Sequence, residues 1–164
     1  MGLHYAPDSW WLMADGSGSL DWLADAGLQP EVFEHLSVLE QQLWADAIEA
    51  PLLELVRLRI AQILDAPVEL ERRSPAAVAA GLDEHMVDDL SNWPMSDRFD
   101  ERQRAVLSWS EQWVTDPEQI TDEDAARLRA SLSDKECAAL STALAVFESL
   151  TRTRVALGLA SARS

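Results

Sequence analysis

Few residues of this 164-residue chain have the type and spacing that chemistry needs, and sulfur is the scarcest: Cys137 is the one cysteine. A single thiol allows no internal disulfide, no Cys-x-x-Cys pair and no cysteine zinc cluster. It lies in Glu136-Cys137-Ala138-Ala139-Leu140, an apolar helical pattern that reads as a small buried hydrophobe. His4, His35 and His85 fall in separate segments, without the close spacing of a helix-borne metal site, so neither a metal nor a cofactor is expected. His85 is the candidate proton shuttle among them, because it closely follows the charged stretch 69–73. The remaining chemistry rests on carboxylates and guanidiniums. Glu54 and Arg57 are three apart, and Glu69 and Arg73 are four apart, so each couple fits an ion pair along one helix. Alternatively, a carboxylate could move a proton while Arg73 holds a substrate anion. Seven tryptophans could floor a cavity for a flat apolar ligand, or fill core and subunit contacts.

These residues must be positioned by helices, since no strand pattern competes anywhere. Val32, Phe33, Leu36, Leu39 and Leu43 recur at helical spacing and predict a helix from Gln29-Pro30 to about Ala47. Pro51 fits a first turn, and the next helix carries Leu53, Val56, Ile60, Ile63 and Leu64 on one stripe, with Glu54, Arg57 and Arg59 off it. It should end near Asp65-Ala66-Pro67. A following helix runs toward Gly81, a suitable left-handed cap, with Pro75 imposing either a kink or a restart at Ser74. Asp83, Asp100 and Thr121 are N-cap candidates for three more helices. Ser133-Asp134-Lys135-Glu136 reads as a capping box opening a long helix to Gly158. Gly16-Ser17-Gly18-Ser19 separates an arm over residues 1–19, bearing Tyr5, Trp10 and Trp11, from a single helical domain over 20–164.

Charge and composition narrow the function classes. The formal charge is −16, from 29 acidic and 13 basic residues, and it would repel nucleic-acid phosphates and anionic headgroups. Neither a nucleic-acid nor a membrane partner is expected. No apolar run reaches the roughly 18 residues that a membrane span needs, and the N-terminus lacks a basic and apolar leader, so a soluble cytoplasmic protein is the expectation.

Glu54-Leu55-Val56-Arg57-Leu58-Arg59-Ile60-Ala61-Gln62 resembles the signature helix of the alkylhydroperoxidase D-like/carboxymuconolactone decarboxylase family, commonly written E-L-V-R-L-R-V-A-Q and followed by N-G-C-x-x-C. Two further stretches are similar to family elements in the expected order: Ala77 through Glu84, and Phe99 through Leu107. So is the terminal stretch from Phe147 to Leu159, with Arg152 in the usual arginine place. The resemblance spans roughly Pro30 to Leu159. It implies an all-α, compact helical domain that assembles as a homo-oligomer through helix packing.

The departures from the family pattern bear on function. Counted from Glu54, the two cysteines and the histidine of thiol members fall on Ala66, Glu69 and Arg73. Thiol peroxidation needs one thiolate to attack the peroxide and a second thiol to resolve the sulfenic acid. Neither sulfur is present, so the family's dithiol route is excluded. By resemblance Glu54 keeps the glutamate of the proton relay. Two readings follow. In the first, Glu54, Glu69 and His85 are catalytic, and Arg73 with Ala66 binds a small organic substrate in a non-redox, lyase or decarboxylase-like pocket. In the second, the site is filled, and the chain is a catalytically degenerate member acting as a ligand-binding or oligomeric interaction protein.

Overall fold

The computed structural model describes residues 30–45 and 47–156, and among these every regular element is helical. The predicted arm over 1–19, with Tyr5, Trp10 and Trp11, lies outside the described residues, as do His4 and Trp22. The described residues fall into two units. The first contains one helix, α1 (Pro30–Ala45), close to the predicted span. The second, residues 47–156, contains the rest: α2 (Ala50–Ile63), α3 (Pro67–Leu70), α4 (Pro75–Ala79), α5 (Glu84–Asp88), α6 (Glu101–Thr115), α7 (Asp122–Ser131) and α8 (Asp134–Ala156). Short 3-10 turns at Leu90–Asn92 and Pro117–Gln119 join them.

Helix α2 is the axis of the second unit, packing against α3, α4, α6, α8 and the Leu90–Asn92 turn. Nine of its fourteen residues are buried, Glu54 and Arg57 included. This overturns the expectation that Glu54 and Arg57 lie off the buried face. A helix surrounded by neighbours has no solvent side over most of its length, so an apolar stripe underestimates what is buried. Leu55 and Leu58 of α2 form a core cluster with Leu90, Trp93, Phe99 and Leu107. Ala61 and Ala66 form a second small cluster, and Leu70 packs against both clusters.

Local signals set where the elements stop. The N–H of Leu82 bonds the carbonyl of Ala77 at 2.9 Å and that of Gly81 bonds Val78 at 3.1 Å, so α4 ends in a Schellman cap with Gly81 at φ 86°. Helix α2 closes in the same way through Ala66 to Ala61 and Asp65 to Gln62, but its left-handed residue is Asp65, at φ 52°. Asp100 and Thr121 each make a reciprocal capping box, and Ser133 and Glu136 exchange bonds at the start of α8. Arg104 fastens the turn before α6: its guanidinium donates to the carbonyls of Trp93, Pro94, Ser96 and Phe99.

Arg102 joins three elements. It donates to Glu49 ahead of α2 at 2.8 Å, to the Ser131 carbonyl at the end of α7 at 2.9 Å, and to Glu136 in the first turn of α8 at 2.8 Å. Hydrogen bonds from the Ser133 hydroxyl and N–H, and then from Arg102, hold Glu136 from the ordinary 4.5 down to about 2. A carboxylate depressed by folding contributes stability that is complete above its unfolded value and is lost as pH falls toward the folded one. Unfolding midpoints in urea should therefore decline between pH 5 and 2. The Glu136→Gln variant should lose part of that slope, and an unchanged slope would detach Glu136 from the acid response.

Candidate functional site

Four side chains from three helices meet where α2 ends its central turns: Glu54 and Arg57 from α2, Glu69 from α3 and Arg154 from α8. None is more than 6% exposed. Charges at that depth require partners, because desolvation costs several kcal/mol per ion. Arg57 provides most of them. Its Nε donates to Glu54 Oε2 and its Nη2 to Glu54 Oε1, both at 2.8 Å, a bidentate pair along one helix turn. Nη1 of the same guanidinium reaches the Glu69 carbonyl at 3.2 Å and Glu69 Oε2 at 3.4 Å, and Nη2 reaches the Arg72 carbonyl at 3.0 Å. Glu54 Oε1 also accepts from the backbone N–H of Ser74 at 3.0 Å. Glu69 Oε1 accepts from Arg154 Nη1 and lies 3.8 Å from Arg72 Nη1.

The backbone explains this convergence. Asp65 reverses the chain after α2, and Ala66 is the N-cap of a helix only four residues long. Glu69 in that single turn faces back onto α2. Glu71 turns the chain out of α3, and Ser74 is extended, with the ψ of 126° that the following Pro75 demands. Ser74 then caps α4, accepting from the Ala77 N–H at 3.5 Å, and its own N–H remains directed at Glu54.

The predicted partners distribute unevenly. Glu54 and Glu69 meet around Arg57. Arg73 does not join them: α3 ends before it, so Glu69 and Arg73 share no helix face, and Arg73 pairs with Glu84 at 3.1 Å on the surface. His85 is exposed on α5, where its backbone N–H donates to Asp83 at 2.9 Å. Ala66 is wholly buried and packs on Ala61, which leaves it no open face toward a ligand. Arg152 bonds Glu148 at 2.8 Å and the Val114 carbonyl at 3.1 Å, so the arginine of the terminal helix that enters the site is Arg154. Its signal was present in the sequence. Leu140, Ala143, Leu144, Phe147 and Thr151 trace the buried stripe of α8, and Arg154 is its continuation.

Other candidates take structural places. The Trp93 indole donates to Glu111 at 2.9 Å and the Trp113 indole to Glu148 at 3.1 Å, tying tryptophans to polar partners at the edge of the core. Cys137 is half-buried on α8, and burial, followed by Asp134 and Glu136, pushes its thiol up from the ordinary range. That shift disfavours the thiolate. Among the described residues no group of three His, Cys, Asp or Glu side chains is placed to hold a metal. Nor is any described helix long and apolar enough to cross a membrane.

The second unit is all-helical around one buried helix, with an acid-and-arginine cluster beside the turn that follows it. A solved protein of unknown function from Agrobacterium tumefaciens, described as a candidate antioxidant defence protein AhpD, is similar with a TM-score of 0.68 and 25% identity, covering 87% of this chain and 95% of that one. In fold the chain is similar to that alkylhydroperoxidase D-like neighbour, and its sequence has no Cys-x-x-Cys motif. No family model matches it, and no curated protein does.

Proposed function

We propose that this chain is a catalytically degenerate alkylhydroperoxidase D-like protein, working as a ligand-binding or oligomeric interaction protein with its former dithiol site closed by ion pairs. The observation that carries the reading is the orientation of Glu69. At the position of the second cysteine, it turns inward onto Arg57 and Arg154 rather than toward solvent. A general base needs a lone pair within reach of a substrate proton. Glu54 already accepts three hydrogen bonds, two from Arg57 and one from Ser74, and is fully buried.

The competing reading is a non-redox acid–base site of the lyase or carboxymuconolactone decarboxylase-like kind, acting on a small organic substrate. The meeting of Glu54 and Glu69 around one guanidinium favours it. The absence of Arg73 and His85 from that cluster removes its anion holder and its proton shuttle, so the degenerate reading is the stronger. A cytoplasmic homo-oligomer without nucleic-acid or membrane partners remains the expected setting.

Alkyl hydroperoxide consumption with a dithiol reductant tests the exclusion. The rate should equal that of the Cys137→Ser variant and show no sustained turnover, whereas dithiol-dependent cycling would overturn it. Sedimentation of the same sample should give a homo-oligomer, and a monomer at all concentrations would remove the assembly role.

A further inference from the structure

The described residues hold three sulfur atoms, and they differ sharply in access. Met86 is partly buried and packs against the core cluster around Leu55 and Leu58. Cys137 is half-buried on α8. Met95 is 80% exposed, the most open large apolar side chain described. It stands on the turn between the Leu90–Asn92 segment and α6. The N–H groups of Met95 and Ser96 both bond the Asn92 carbonyl, at 3.0 and 3.1 Å. Arg104 holds the carbonyls on either side, those of Pro94 and Ser96. The turn is therefore fixed through its backbone, and the Met95 side chain contributes little to holding it.

The geometry points to Met95 as a hydroperoxide modification site, a thioether that is converted to the sulfoxide while the fold stays intact. The reaction balances without a second thiol. The thioether sulfur attacks the terminal oxygen of hydrogen peroxide or an alkyl hydroperoxide, an S–O bond forms and the O–O bond breaks. The leaving hydroxide or alkoxide takes the proton from the sulfur-bound hydroxyl. Sulfur is oxidised by two electrons, and the peroxide is reduced to water or alcohol. A thioether has no proton to lose before it reacts, so this step does not depend on thiolate formation, on which Cys137 does depend. The sulfoxide places a polar group where an apolar one stood at the surface, so any apolar contact made through this turn is weakened by oxidation. A sulfoxide reductase would reverse it.

The test is a time course of the full-length folded protein with hydrogen peroxide and, separately, tert-butyl hydroperoxide, followed by peptide mass mapping. The Met95 peptide should gain one oxygen about tenfold faster than the Met86 peptide, and before any oxidation of Cys137. Circular dichroism and the urea midpoint should stay unchanged through that phase. Oxidation of Met86 or Cys137 at an equal or higher rate would overturn the assignment. So would loss of structure in step with Met95 oxidation.

Discussion

Replacing Glu69 by alanine should destabilise the protein by about 3–5 kcal/mol, the cost of breaking a buried ion pair from one side. Glu69 is 1% exposed and faces guanidinium groups of Arg57 and Arg154, with a third, Arg72, at 3.8 Å. Without the carboxylate these cations, two of them buried, face no opposing charge from α3. The change would remove a large part of the stability of a single domain, which totals roughly 5–15 kcal/mol. Chemical denaturation of the wild type and of Glu69→Ala measures it. Glu69→Gln keeps an acceptor but not the charge, and should fall between them. A loss below about 1 kcal/mol would mean that Glu69 is not the keystone of the cluster. The sign also separates the two functional readings, because removing a strained catalytic group commonly leaves stability unchanged or raises it.

The second large effect belongs to Arg57 and is best read as a pair. Arg57→Met should cost about as much as Glu69→Ala or more, since it withdraws donors from two buried carboxylates at once. Glu54 would retain only the Ser74 N–H of the partners described above, and the Glu69 and Arg72 carbonyls would each lose one donor, keeping the Arg72 N–H and the Arg73 guanidinium respectively. Arg57→Lys should not rescue it, because an ammonium cannot span both oxygens of Glu54 while reaching α3. The double variant Glu54→Leu/Arg57→Met should be more stable than Arg57→Met alone, since Glu54 is then no longer a buried carboxylate stripped of its guanidinium. Urea midpoints of the wild type, Glu54→Leu, Arg57→Met and the double variant form the cycle. If the double variant is as unstable as the sum of the singles, the two residues are not a coupled pair.

Much of the fold is written in local signals. Asp83, Asp100, Thr121, Ser133 and Gly81 each stop or start a helix where their side-chain or backbone chemistry says they should, because caps act within four residues. The choice at Pro75 between a kink and a restart was open in the sequence. The structure takes the restart, since Ser74 is held extended and its side chain caps α4. The same break removes Arg73 from the site. A spacing of four residues implies a shared face only while the helix continues, and α3 stops at Leu70.

The exclusion of dithiol chemistry was complete in the sequence, because a reaction that needs two sulfurs cannot run on one. The identities of the residues at the positions where the resemblance places two cysteines and a histidine were legible as well. What fills the site was decided by tertiary structure. Arg154 is 85 residues from Glu69, and only the packing of α8 beside α2 brings them together. Whether Glu54 and Arg57 make a solvated surface pair or a buried one depends on how many neighbours surround α2, and that is a property of the whole fold rather than of the helix. Local sequence sets which charges exist and which turns they stand on. Long-range packing sets the dielectric around them, and therefore whether they serve as chemistry or as structure.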